Sequence, residues 1–260
     1  MRPFVPLLPA LLLLASAGPL PAGPAAKSGY LDPGAFDLLQ VLPPAPVKGD
    51  ARYQADRKIF KSTRKMLATP RGALATSDAV TDVPAMMRDF SCSVGVALTP
   101  QNAPLTAALV TKAAHDTAAE TNAAKNFYKR RRPFLIDNGP ICQSKPDLAK
   151  SYDYPSGHTT WGWTWATVLA ELAPDRATPI MARGRAYGDS RFICGAHNES
   201  AVEAGKLSAG ATMSVVRLQP AYQADLAAAR AEMDALRRDP DAPRPQGCEE
   251  EAKLVRQRVL

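Results

Sequence analysis

The sequence predicts an all-α protein, and three observations carry that prediction. No run of useful length alternates apolar and polar residues with period 2, as a half-buried strand would. Several segments instead repeat apolar residues at helical spacing. Prolines and cap-forming residues punctuate those segments where helices should begin or end. Together they give roughly six to eight helices in a bundle-like core, and 46% hydrophobic residues in a chain of 260 suffices to fill it.

Met1-Arg2 precedes an apolar run centred on Leu11 to Ala15, then Ser, Ala, Gly and Pro residues through Ala26. This is the pattern of a secretory signal peptide over residues 1–26, with the mature chain starting near Lys27. Pro6, Pro9, Pro19 and Pro21 cut the run below a comfortable spanning length, which speaks against a membrane anchor. Residues 27–49 read as a Pro-rich arm, 50–238 as one all-α domain and 239–260 as a C-terminal tail, first Pro-rich and then charged.

Within the domain, Asp50 is placed to cap a helix to about Met66, which Thr69-Pro70-Arg71-Gly72 should stop. A second helix is expected over Val83–Val94, with Met86, Met87 and Phe90 inward. The clearest pattern runs from Pro104 to about Phe127, where Leu105, Leu109 and Ala113 form one stripe and Val110, Ala114 and Thr117 a neighbouring one. Thr159 to Leu172 carries Trp161, Trp165, Val168, Leu169 and Leu172 on one face. A segment holding Ile180, Met181 and Tyr187 should end at Ser190-Arg191. Another helix should begin just past His197 and bury Val202, Gly205, Ala209, Thr212, Met213 and Val216. Pro220 opens an alanine-rich helix to about Arg238.

Four cysteines (Cys92, Cys142, Cys194, Cys248) in an exported chain read as two disulfides; three pairings are open. The absence of Cys-x-x-Cys gives no zinc or redox site. The net charge is +7, but apart from Lys129 to Arg132 the basic residues are scattered among acids. A basic pocket for a small anionic substrate explains that cluster as well as a nucleic-acid patch would, and no nucleic-acid partner is expected.

The chemistry gathers in three places. Pro155-Ser156-Gly157-His158 stands where the central helix begins, so its amides and the helix dipole can face an anion. Lys125 and Arg132 flank a helix end, because Pro133 disfavours a helical Arg132, and together they suit a dianionic oxyanion. Ser190-Arg191 and His197 add a further arginine and histidine.

Taken jointly, Lys125-x6-Arg132-Pro133, Pro155-Ser156-Gly157-His158 and Ser190-Arg191-x5-His197 resemble the bacterial class A non-specific acid phosphatases. These belong to the superfamily that also holds type-2 phosphatidic acid phosphatases and vanadium haloperoxidases. The resemblance extends from about Asp50 to Leu218. It implies the all-α fold of that superfamily and hydrolysis of phosphate monoesters without a metal or other cofactor, extending to phosphotransfer towards alcohols. It further implies His197 as a nucleophile forming a phosphohistidine and His158 as general acid and base. Lys125, Arg132, Arg191, Ser156 and Gly157 would hold the phosphoryl oxygens. His115 lies outside every motif and is expected to be a partly buried structural residue. The implied setting is periplasmic or secreted, without stable membrane insertion; a homo-oligomer stays open.

One position departs from the pattern. Where the family carries an aspartate four residues past the nucleophile, which orients the imidazole, this chain has Ala201. On a helix running from His197, Ser200 would be the nearest substitute, whereas Glu199 and Glu203 would point elsewhere. A weakened enzyme, an engineered trapping variant, a non-catalytic phosphate binder and a vanadate-dependent haloperoxidase therefore stand beside the phosphatase reading. On that helical geometry, restoring the carboxylate by Ala201→Asp should raise activity.

Overall fold

The computed structural model describes Met1 and residues 29–260, so the expected signal peptide, Met1 apart, and the start near Lys27 lie outside the described residues. Ten α-helices and no strand are found among the described residues. Helix α1 (Ala51–Thr63) runs into a 3-10 segment, Arg64–Ala68. Thr69 closes that segment as expected, and with Pro70 it also opens helix α2 (Pro70–Ser77), which the sequence reading missed. Thr69 Oγ1 accepts from the Gly72 amide at 3.3 Å, and Pro70 takes the first helical position, where a missing N–H costs nothing. Helix α3 (Val83–Val94) follows, capped by Asp82 on the Ala85 amide at 2.8 Å.

Helix α4 (Pro104–Tyr128) is the longest, and after the short α5 (Lys145–Leu148) comes the central α6 (Gly157–Leu172). Helix α7 (Ala177–Cys194) does not end at Ser190-Arg191 as expected; it carries both residues in its last turns. Its whole circumference is buried there, so the apolar periodicity that marks a one-sided helix is absent. Helices α8 (Glu199–Val216), α9 (Pro220–Arg238) and α10 (Cys248–Arg256) complete the chain.

Helix α6 lies between α7, α8 and α4, and α9 covers α4. Trp165, Val168, Leu169 and Leu172 are wholly buried, each contributing about 1.5–3 kcal/mol of hydrophobic stabilisation. Of the α4 stripes, Leu109, Val110, Ala113, Ala114 and Thr117 are buried, whereas Leu105 is exposed at the helix start. The amides of Leu105 and Thr106, left over at that start, donate to Glu232 of α9 at 2.9 Å each. The arm is fastened to α4 in the same way: the Tyr30 and Leu31 amides donate to Asp116 and the Leu38 amide to Glu120. Cys92 pairs with Cys248 and Cys142 with Cys194, which fixes the connectivity that spacing left open. No helix among the described residues is long and apolar enough to cross a membrane.

Candidate active site

The site forms where the end of α4, the start of α6 and the turn from α7 into α8 meet. That turn is built by Gly195, whose φ of 83° suits a residue without a side chain and closes the last turn of α7. A Cβ there would lie 2.2 Å from Nη1 of Arg64. Arg64 needs the space: its guanidinium donates to the carbonyls of Phe192, Ile193 and Cys194, the orphan acceptors at the negative end of α7. The capped turn presents His197, whose amide returns to Arg191 O.

His197 is 2% exposed, and its partners fix its tautomer. Arg132 Nη1 lies 2.9 Å from Nε2, and a guanidinium can only donate, so Nε2 carries the lone pair. Nδ1–H then donates to Asp153, whose carbonyl is at 2.8 Å and Oδ1 at 3.0 Å. Burial, with Arg132, Lys125 and Arg191 nearby, holds the imidazole well below its ordinary pKa, opposed by the Asp153 carbonyl. The neutral imidazole is thereby favoured, with its Nε2 lone pair directed at Arg132.

Lys125, Arg132 and Arg191 are buried, and among the described residues every hydrogen bond they make goes to a neutral acceptor. Lys125 Nζ donates to Tyr152 O at 2.5 Å. Arg132 donates to the carbonyls of Ser151 and Ala196 and to His197. Arg191 donates from Nη2 to Gln143 Oε1, while its Nε and Nη1 are buried without any partner. Burial first, then Arg132, brings the Lys125 ammonium down to about 7, with Asp153 opposing.

Helix α6 starts as the motif suggested. Ser156 Oγ accepts from the amide and hydroxyl of Thr159, and a Cβ on Gly157 would sit 3.5 Å from Lys125 Cε. His158 lies 3.4 Å from Ala79 O, and burial together with Arg191, His197 and Arg132 pushes its pKa well below the ordinary value. Beside His158 a groove of about 350 Å³ opens, lined by Thr81, Thr111, Ala114, His115, Ala118 and Trp161. His115 is exposed on this wall, not partly buried as expected, because α4 turns that face outward.

Ala201 and Ser200 also stand differently from the helical expectation. Helix α8 starts at Glu199 with Asn198 as its cap, so His197 precedes the helix and shares no helical face with residue 201. Ser200 Oγ is engaged by Asp56 and Arg130, away from the imidazole. Asp153 was missed because its contact with His197 spans 44 residues and no periodicity reports it. The available signal was a carboxylate two residues before Pro155.

Residues 104–225 match the model of the PAP2 superfamily. The acid phosphatase of Zymomonas mobilis is 37% identical over 209 residues, covering 80% of this chain and 79% of that protein. The non-specific acid phosphatases of Salmonella typhimurium and Providencia stuartii are 35% and 34% identical, over 78% and 84% of their lengths and 74% and 78% of this chain. The chain belongs to the acid phosphatases of the PAP2 superfamily. Membership agrees with the all-α architecture, and the match reaches from the start of α4 into α9, across every element that carries the site.

Proposed function

We propose that this acid phosphatase hydrolyses phosphate monoesters through a phosphohistidine on His197, without a metal ion. The observation that carries this reading is the set of three buried cations without a carboxylate among their hydrogen-bond partners, of which Arg191 leaves two N–H groups unsatisfied. Buried charge of one sign is costly, and a phosphoryl group supplies the missing anion and acceptors together. Among the described residues no group of three or more His, Cys, Asp or Glu is arranged to hold a metal. Charge stabilisation in the transition state is assigned to Lys125, Arg132 and Arg191, with the Ser156 hydroxyl and the Gly157 amide.

Nε2 of His197 attacks phosphorus as the ester P–O bond breaks, and His158 gives its proton to the departing oxygen. His158 then takes a proton from water, the hydroxide oxygen bonds to phosphorus, and the P–N bond breaks to release phosphate. Burial first, then the nearby cations, push the His158 pKa below its ordinary value; a phosphoryl dianion offsets the cations and favours the proton His158 must deliver. The groove beside His158 is the natural seat of the leaving group, and its breadth favours many alcohols over one. Export to the periplasm or medium is proposed from the residue 1–26 pattern, and the two disulfides suit an oxidising compartment.

The test compares an aryl phosphate with an alkyl phosphate. Wild-type protein should hydrolyse both, equally with and without EDTA. His158→Ala should lose about 10²-fold or more on the alkyl ester, whose leaving oxygen needs the proton, and clearly less on the aryl ester. Equal losses would remove His158 as the acid, and loss of wild-type activity on chelation would overturn the metal-free mechanism.

A further inference from the structure

The carboxylate that touches the imidazole of His197 comes from the loop before α6 rather than from the start of α8. Asp153 is wholly buried, and donors meet both of its oxygens. Oδ1 accepts from His197 Nδ1 at 3.0 Å and from the Asn198 amide at 3.1 Å; Oδ2 accepts from Asn198 Nδ2 at 2.8 Å, with Arg130 Nη1 at 3.5 Å. Every neighbour there donates, so the position requires an acceptor-only group. We propose that Asp153 is the positioning residue for His197, supplying from the loop before α6 the carboxylate that position 201 lacks.

Bracing around the aspartate fits that role. The Asp153 amide donates to Arg130 O at 2.9 Å, and the Arg130 guanidinium donates to Asp56 and to Ser200 Oγ at 2.7 Å each. Asp56 in turn accepts from the Ser200 amide at 2.9 Å, so α1, the loop after α4 and the first turn of α8 hold one another around the carboxylate. An ionised Asp153 keeps the proton on Nδ1, leaves the Nε2 lone pair for phosphorus, and stabilises the positive charge that develops on the ring as the P–N bond forms. Ala201 meanwhile is wholly buried in an apolar cluster with Leu38, Ala124, Tyr154 and Ala204. A carboxylate added there would enter an apolar cluster, where burying an unpaired charge is costly. On this proposal Ala201→Asp brings no gain in activity.

This inference rests on His197 being the nucleophile, so the experiment separates the two. Wild-type, His197→Ala, Asp153→Asn and Ala201→Asp proteins are compared for turnover of an aryl phosphate, inhibition by inorganic phosphate, phosphoenzyme trapped in alkaline denaturant and unfolding temperature. Asn at 153 must turn its NH₂ against a donor whichever way it faces. Its kcat should fall about 10²-fold or more, while inhibition by phosphate stays within about threefold, since the three cations remain. A purely structural aspartate would weaken both together and lower the unfolding temperature, and that parallel loss would overturn the proposal, as would wild-type turnover. Ala201→Asp should bring no gain; a rise of about tenfold or more would show His197 unoriented in the native chain and sink the idea. Should Asp153→Asn not fold, the Ala201→Asp result decides. A wild-type protein that turns over without a His197-dependent phosphoenzyme removes the nucleophile and this inference with it. A trapped wild-type intermediate with unimpaired Asp153→Asn removes this inference alone.

Discussion

Lys125 sets how the pocket reads pH. Its folded-state pKa of about 7 lies below the ordinary lysine value because burial and Arg132 disfavour the ammonium. On the proposed assignment phosphate binds the ammonium form, so binding would raise that pKa and be linked to proton uptake. Above about pH 7 the inhibition constant for inorganic phosphate should therefore rise by about tenfold per pH unit, and below it the Lys125 contribution should be flat. Lys125→Met should weaken inhibition at pH 6 and abolish the steep limb above 7; a limb that survives in the variant assigns it to another group. At this scale the sequence disclosed the residues whose types announce their chemistry: two histidines, two arginines and a lysine in spaced motifs. It did not disclose Asp153, Gln143 or Arg64. They act through contacts with residues 44, 48 and about 130 positions away, and an isolated Asp, Gln or Arg in a loop or helix end has many uses.

Helices position these side chains through their ends and their closest approaches. Gly205 of α8 faces the Ser156 turn, and a Cβ there would meet Ser156 O at 2.7 Å and Thr159 Cβ at 2.9 Å. The first of these is backbone and cannot swing aside. Gly205→Ala should thus cost about 1–3 kcal/mol of stability and lower kcat/KM beyond what the lost folded fraction explains, because the Ser156-Gly157 turn must shift. Denaturant unfolding with kinetics on the folded fraction checks this, and a variant equal to wild type in both would show the interface to be slack. Amphipathic elements were legible, as in Val83–Val94 and Pro220–Arg238, since one-sided burial leaves a period in the sequence. Helix α7 was legible only in part. It buries Arg183, Ser190 and Arg191 on all sides, and Arg183 pairs with buried Asp78 at 2.6 Å, so polarity there reports internal networks rather than solvent. The start of α8 just past His197 was legible, but placing Ala201 on the imidazole's face also took His197 as helical, whereas it precedes the cap Asn198.

Across the whole molecule, the cations converge because long-range ties hold four segments to one pocket. The Cys142–Cys194 bond secures the loop bearing Gln143 against the end of α7, beside Arg191. Cys92–Cys248 and α10 fasten the tail to α3, α2 and α7, where sequence reading saw only charge, although Glu249 to Glu251 followed by Lys253 and Arg256 match a helix dipole. The arm is tied down through Asp116 and Glu120. What this framework builds is a buried cluster of cations around the imidazole of His197, and its Nε2 is the centre of the account. The direct measurement is a rapid quench into alkaline denaturant during turnover of a ³²P-labelled phosphate monoester in the presence of EDTA, followed by peptide mapping at alkaline pH. The account predicts acid-labile, base-stable label on the peptide carrying His197, absent from His197→Ala. Turnover by wild-type protein with no label trapped, or with label on another residue, would contradict it.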